Sequence, residues 1–558
     1  MLRRPIRGVC DPCHTFRAEW SQHARTRAPR PWDQGAIPRT GSAGKQSASM
    51  RIAIATALVV ACAGCAGLPS LEGRVESRAA TDVSHTALAR ATAPLADAHP
   101  GKTGIFPVPL ATDAFAARML LARAAERSID AQYYIWHADE TGLLLMQALR
   151  DAALRGVRVR LLIDDQNTRG LDDMLAALGA TPNLELRLYN PFTVRRARLL
   201  EYLGGFTRLN RRMHNKSFTV DNRVTIVGGR NIGNEYFGAG TEVPFKDLDV
   251  IALGAAVRGV SDEFDLYWNS ASAYPAQRVL FPTRPAPGAH AILEERFAAA
   301  RADPVSAGYL EAVRDTPLVH DLLDRRLALE WVDAVVVRDD PAKTLVPDPT
   351  RDMLALAQVF DVTGRPRRSF ELISPYFVPG ERGAQAIEAL AREGVEVRVL
   401  TNSFGATDVA VVHSGYAKRR CDLARSGVRL YELKPTVREH RRASSDSSAA
   451  SLHAKTFSID GEQVFVGSFN FDLRSALLNT EMGLVLKSEA LARRLDASFD
   501  EVVIPNSYEV RSRAGGDCVE WIEPTPSGPV THGDEPGTNA IKRAWVGFLA
   551  LLPIDWML

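Results

Sequence analysis

One short pattern occurs twice in this chain, and any fold for it has to serve both copies. MHNKSFTVDNRVTIVGGRNI supplies His214, Lys216 and Asp221, then Gly228, Gly229 and Asn231; LHAKTFSIDGEQVFVGSFN supplies His453, Lys455 and Asp460, then Gly467, Ser468 and Asn470. The interval from His to Asn is the same in both. With only 12 histidines in 558 residues, repetition of this spacing by chance is remote. Each copy reads as a β-hairpin, with an alternating apolar run entering a turn (Asp460-Gly461 in the second) and another run leaving it. Period-two geometry predicts His and Lys of each copy on one face of the first strand. An imidazole beside an ammonium suits attack on a phosphoryl group whose charge the lysine holds.

The flanking segments repeat as well. IDAQYYIW (129–136) and VRVRLLI (157–163) read as strands around a helix at 142–155; FELISPYF (370–377) and VEVRVL (395–400) read as strands around a helix at 383–392. Arg155-Gly156-Val157 answers Glu393-Gly394-Val395, with glycine suited to the helix C-cap. LRLYNP (186–191) answers RLYELKP (429–435). Corresponding points lie roughly 240 residues apart, an internal duplication. Strand–helix–strand alternation predicts an α/β fold: two tandem domains, each a mixed sheet flanked by helices, related by pseudo-two-fold symmetry around one active site.

The boundaries follow. Residues 1–49, rich in Arg, Pro, Ser and Gly, read as a disordered or non-native leader. Met50 begins MRIAIATALVVACAGCAGLPS, with basic Arg51, an apolar stretch at 52–61 and small residues before Cys65. This is too short to span a bilayer and has the shape of an export signal. We expect translation to start at Met50 and residues 50–65 to be a lipoprotein-type signal with Cys65 as the lipidated residue. Cys62 is a weaker alternative. Residues 66–104 read as a tether, 105–275 as the first half, 276–365 as a connector without chemistry, and 366–505 as the second half. Residues 506–558 read as a tail whose Trp545 and Trp556 suit a membrane interface.

A formal net charge of +2 gives no global argument for nucleic acid, and none is expected as a partner. Six cysteines are too few and scattered for a disulfide framework. Cys421 and Cys518 pair only if the fold brings them together, and Cys10-x-x-Cys13 has no second ligand pair nearby. His137 and His413 read as structural, although His413 could also line a substrate pocket.

In-line displacement at phosphorus needs a nucleophile on one side and an acid on the other, and two histidines, one per half, supply both. Lys216 and Lys455, with Asn231 and Asn470, would grip the non-bridging oxygens. Each imidazole needs a partner that fixes its tautomer; Asp247 and Glu481 are the carboxylates expected to do so. Asp221 and Asp460 complete the repeated catalytic pattern, at turn positions suited to bracing the backbone. No metal and no cofactor is expected, because the lysines already carry the positive charge.

The doubled His-x-Lys-x4-Asp with its Gly-Ser/Gly-x-Asn extension resembles the phospholipase D superfamily over about residues 105–505. That resemblance implies a covalent phosphohistidine, with His214 assigned as nucleophile and His453 as acid/base, the reverse also open. NRRMHNKSFTVDNRVTIVGGRNIGNEYFGAG, TNSFGATDVAVVHSGYAKRR, LYELKP, LNTEMG and the closing PIDWML are similar to bacterial cardiolipin synthases of the C type. This implies phosphatidyl transfer to phosphatidylglycerol, from phosphatidylglycerol or phosphatidylethanolamine, at a membrane surface in the cell envelope. The chain departs from synthases with two N-terminal transmembrane helices, so membrane access is expected from Cys65, the tail, or the basic-apolar segment 195–212, whose arginines suit anionic headgroups. The rivals are a hydrolase releasing phosphatidic acid, a secreted nuclease and a scaffold with a dead site.

Overall fold

In a computed structural model the described residues are 67–558, apart from 240–244, 281–286, 317, 319–320, 322–325, 408, 436–451, 514–517, 552–556 and 558. The leader with Cys10 and Cys13, the signal with Met50, Cys62 and Cys65, and Pro553 and Trp556 of the tail lie outside them.

The first half contributes β1 (Thr103–Val108), β2 (Ser128–Tyr133), β3 (Arg158–Asp164), β4 (Leu184–Tyr189), β5 (Ser217–Val220), β6 (Val224–Gly228), β7 (Asp249–Gly254) and β8 (Ala273–Pro275). They pair in the order β8-β4-β3-β2-β5-β6-β7-β1, with β2, β3 and β4 parallel and the rest antiparallel. β9 (Glu330–Arg338) follows. The second half contributes β10 (Ser369–Ile373), β11 (Phe377–Val378), β12 (Glu396–Asn402), β13 (Arg429–Leu433), β14 (Thr456–Ile459), β15 (Gln463–Gly467), β16 (Phe471–Asp472), β17 (Met482–Lys487), β18 (Ser507–Ser512), β19 (Val519–Glu523) and β20 (Val530–His532). Its order, β9-β17-β15-β14-β10-β12-β13-β18-β19-β20, repeats the first half's plan, again with three parallel strands, and β11 pairs with β16 apart from it. Helices such as Glu140–Leu154 and Gly380–Arg392 cross between the parallel strands, and Gly156 and Gly394 end them at φ of 97° and 89°, where a side chain would be strained.

Two expectations change here. The connector 276–365 is not inert, because β9 lies within it. β9 pairs antiparallel with β17, as β1 does with β7, and also with β1 itself (Thr103↔Val332), so it joins the two sheets. Only Val332 and Val337 of its nine residues are fully buried. Residues 506–558, read as a tail, are built into the second half: β18, β19 and β20 extend its sheet, and the helix Ala540–Leu551 packs on the helix Ala410–Arg425. Each half has its own buried apolar cluster, and Ile105, Val227, Val250, Val464, Val466 and Leu484 form a third that draws on both.

The segment 195–212 also corrects the reading from sequence. Arg195 pairs with Asp165 and Asp172, Arg198 donates to Thr168 (3.0 Å), Arg208 to Asn190 (2.6 Å), Arg211 to the carbonyls of Lys343 and Pro347, and Arg212 to Asp164 (3.0 Å). These five arginines brace the fold and do not present a basic surface to headgroups. His413 is structural: it bonds Glu535 (2.5 Å), which Arg420 also binds (3.0 Å).

Cys421, in the 410–425 helix, and Cys518, before β19, form a disulfide across 97 residues with Cα atoms 5.2 Å apart. Closing so long a loop restricts the unfolded chain, an effect of about 2–4 kcal/mol. Reduction, or Cys421→Ser, is expected to lower the urea midpoint by a corresponding amount; an unchanged midpoint contradicts the bond.

Candidate active site

Each histidine is positioned by the other half of the chain. Met213 and Thr480 form an isolated parallel bridge, and Leu452 and Lys246 form its counterpart. The His214 amide donates to the Thr480 carbonyl at 2.8 Å, and the His453 amide to that of Lys246 at 2.9 Å. His214 and Lys216 therefore precede β5, and His453 and Lys455 precede β14, instead of lying within the strands. Their pairing partners come from across the interface, not from the second strand of their own hairpin.

The carboxylates occupy matching places, Asp247 just before β7 and Glu481 just before β17. His214 Nδ1 lies 2.8 Å from Glu481 Oε2 and 3.1 Å from Oε1; His453 Nδ1 lies 2.6 Å from Asp247 Oδ2. The pairs are crossed: the first half's histidine is held by the second half's carboxylate, and the reverse. The motif's Gly/Ser difference follows from carboxylate length. A Cβ on Gly229 would lie 2.3 Å from Asp247 Oδ1, so only glycine lets the shorter aspartate in. In the other copy Ser468 Oγ donates to Glu481 Oε2 at 2.5 Å.

Buried charges hold both carboxylates from behind. The Glu481 amide donates to Asp339 Oδ2 (2.7 Å), and Lys343 Nζ donates to the same oxygen (2.9 Å) and to the Ser475 carbonyl (2.9 Å). Arg230 donates to the Asp247 carbonyl (2.7 Å) and faces Asp249, which Arg118 also binds (2.9 Å). Aromatic rings enclose the imidazoles. Tyr134 meets His214 edge-on at 5.0 Å; Phe245 stacks on His453 at 5.3 Å, and Tyr236 meets it edge-on at 5.1 Å.

Burial, reinforced by Lys216 and Lys455, holds His214 well below its ordinary value, and burial with the same lysines does so for His453, on which His214 also acts. The two histidines and two lysines thus share one electrostatic environment. Burial also lowers Lys216, with Lys455 adding to it, and raises Asp247; it lifts Glu481 to about 7 against the opposing pull of Lys216. With Glu481 ionised, an acceptor-only carboxylate 2.8 Å from Nδ1 favours the tautomer that carries its proton there and its lone pair on Nε2.

Two sets of expected site residues sit differently. Asp221 and Asp460 lie at the far ends of β5 and β14 from the histidines. Asp221 accepts from the amides of Glu126 (3.1 Å), Arg127 (2.7 Å) and Ser128 (2.9 Å), and Asp460 from those of Arg367 (2.9 Å), Arg368 (2.7 Å) and Ser369 (3.1 Å). Both are backbone braces in the left-handed region, φ 48° and 57°. Asn231 accepts from the Ile135 amide (3.1 Å) and donates to Tyr236 Oη (3.1 Å), so its amide is occupied by the protein. Asn470 is buried, and its Oδ1 has no hydrogen-bond partner. Among the described residues His137, Asp139 and Glu235 bring ligand atoms within 4.8 Å of one another. Asp139, however, accepts from the amides of Gly142 and Asn234, and His137 pairs with Glu235 at 3.2 Å.

Sequence reasoning missed Tyr134, Tyr236, Phe245, Arg230, Asp339 and Lys343. Asp339 and Lys343 sit just past β9, in a segment with no repeat to mark it. Lys343→Met leaves Asp339 as an unpaired buried charge, with an expected cost of about 3–5 kcal/mol in urea unfolding. Asp339→Asn together with Lys343→Met is expected to recover most of it. A neutral single variant contradicts the brace.

The chain matches the family model described as "Cardiolipin synthase, PLD-like domain" over residues 119–268 and 362–503. It is 47% identical over 475 residues to Cardiolipin synthase C of Escherichia coli (strain K12), covering 84% of this chain and 99% of that protein. It is 25% identical over 392 residues to a cardiolipin synthase of Listeria monocytogenes, covering 70% of this chain and 67% of the relative. The phosphatidylserine synthase of Haemophilus influenzae shares the fold, with a TM-score of 0.54 at 12% identity over 84% of this chain and 99% of that one. With one active-site pattern in each half and both halves matched, the chain belongs to the cardiolipin synthase family of the phospholipase D superfamily.

Proposed function

We propose that this enzyme moves a phosphatidyl group from a donor phospholipid to the free glycerol hydroxyl of phosphatidylglycerol, forming cardiolipin through a phosphohistidine at His214. The observation that carries the mechanism is the crossed pair of histidine–carboxylate bonds. Glu481 fixes Nδ1–H of His214, so Nε2 attacks phosphorus while the bond to the donor's headgroup oxygen breaks. Protonated His453, held through Nδ1 by Asp247, gives its Nε2 proton to that leaving oxygen and becomes neutral. In the second step neutral His453 takes the proton of the incoming glycerol hydroxyl, whose oxygen attacks phosphorus and releases His214. Lys216, Lys455 and Asn470 hold the non-bridging oxygens. The donor is phosphatidylglycerol or phosphatidylethanolamine.

We place the enzyme in the bacterial cell envelope, anchored by a lipid on Cys65 at the periplasmic side. The Cys421–Cys518 disulfide supports an oxidising compartment. Among the described residues no helix is long and apolar enough to cross a membrane, which is compatible with an anchor of this kind.

The purified enzyme, given labelled phosphatidylglycerol with and without phosphatidylethanolamine, is expected to yield cardiolipin. Phosphatidic acid alone would instead indicate the hydrolase, and nucleic-acid cleavage without lipid turnover the nuclease. His453→Ala is expected to lower the rate by about 10²–10⁴-fold, His214→Ala to abolish it, and Lys216→Arg to cost nearly as much as loss of the lysine, because a planar fork replaces a point charge.

The pH profile separates the partners. Glu481 titrates at about 7; once protonated it no longer accepts from Nδ1, so kcat/KM is expected to fall as pH drops through that value. Glu481→Gln should remove this acidic limb as well as lowering the rate. A limb that persists unchanged in the variant contradicts the assignment.

A further inference from the structure

The helix Arg198–Leu209 is built the wrong way round for a helix on a soluble surface. Its charged residues face inward: Arg198 and Glu201 are buried, and Glu201 accepts from the amides of Thr193 (2.8 Å) and Val194 (2.9 Å) and from Arg208 (2.5 Å). Four of its apolar residues face outward, with Leu199 76% and Leu203 71% exposed and Leu200 and Phe206 exposed beside them, while Leu209 at its end is buried. Ordinary amphipathic helices bury that stripe. Glu201 is the helix's single carboxylate, and it points in, so the outer surface carries leucines, a phenylalanine and, one turn upstream, the exposed cation Arg196.

A second helix also exposes a row of apolar side chains. Ala540–Leu551 contains no Asp or Glu; it docks through Val546 and Leu549 and exposes Ile541, Trp545, Phe548 and Leu551, with the rings of Trp545 and Phe548 stacked at 5.7 Å. Met557, beyond it, is linked to the first helix through Arg474. Arg474 donates to the carbonyl of Asn210, the C-cap of Arg198–Leu209, at 2.9 Å and to the carbonyl of Met557 at 3.0 Å. Asn210 lies four residues before His214, and Arg474 four residues after Asn470, so the end of the first helix and Met557 meet beside both motifs.

We propose that the outer faces of these two helices are the surface by which the enzyme lies on a lipid bilayer, with the active site brought down to the headgroups. This rests on the phospholipid reading of the site, since a lipid substrate has to reach the histidines from a membrane. Each helix has 12 residues, about 18 Å at 1.5 Å per residue, the scale of a helix lying in the interface and short of one that spans. The two ridges together offer on the order of 400 Å² at a helix width of about 10 Å, well below the roughly 800 Å² per partner of a stable protein interface. The absence of outward carboxylates on both helices, with Arg196 and Lys542 exposed, complements an anionic lipid surface. The arginines of 195–212, expected from sequence to meet headgroups, instead hold the leucines outward.

The test compares one substrate in two physical states: phosphatidylglycerol in vesicles, and dihexanoyl-phosphatidylglycerol dissolved as monomers. In the full-length enzyme, Leu199→Ser with Leu203→Ser, and separately Trp545→Ser with Phe548→Ser, are expected to lower turnover on vesicles at least about tenfold while leaving turnover of the dissolved lipid unchanged. These side chains are exposed, so unchanged dissolved turnover also reports an intact fold. Equal turnover on vesicles by variant and parent overturns the bilayer surface. Equal loss on both substrates, with a fall in concentration-dependent molecular mass, overturns it in favour of contact between copies. Failure of the parent enzyme to turn over either lipid overturns the phospholipid reading itself.

Discussion

The structure depends on two buried hydrogen bonds that cross between its halves, His214 to Glu481 and His453 to Asp247. Neither half contains a complete site. A histidine without its carboxylate has no fixed tautomer, and a buried carboxylate without its donor is an unpaired charge in a low-dielectric interior. Assembly of the site is therefore inseparable from docking of the halves, and the apolar cluster shared by β1, β6, β7, β15 and β17 lies where it can hold that docking. The same burial that makes the bonds necessary also sets the chemistry. It holds both imidazoles well below their ordinary value and lifts Glu481 to about 7.

Around this centre the duplicated halves have diverged in matched pairs of residues. Where the carboxylate is short, Asp247, the facing position is Gly229, which admits it; where it is long, Glu481, the facing position is Ser468, which donates to it. The supports differ as well. Arg230, with Asp249 and Arg118, stands behind Asp247, whereas Asp339 and Lys343 stand behind Glu481. Asn231 has become part of the protein's own bonding while Asn470 keeps a free acceptor. Such asymmetry suits two histidines with different tasks, one to attack and one to move a proton.

Much of this was legible in the residues. The repeated His-x-Lys-x4-Asp, the strand–helix–strand blocks and the capping glycines are local signals, and the fold followed them. Asp247 and Glu481 could be chosen as partners, but not assigned to particular histidines, because the crossing depends on contacts between segments more than 200 residues apart. β9 was read as connector since its place in both sheets has no local mark. The 195–212 helix was misread for a different reason. A helical pattern gives the angle between its charged and apolar faces, not which face points inward, and here Asp165, Asp172 and Asp164 draw the arginines in.

The central claim is that the two histidines form one site in which His214 alone carries the transferred group. It is tested most directly by rapidly quenching the enzyme during turnover of phosphatidylglycerol and mapping the modified peptide by mass spectrometry. The account expects one phosphatidyl group per chain, on His214, accumulating in His453→Ala. A group on each histidine, one on His453 alone, or no covalent adduct under turnover would contradict it.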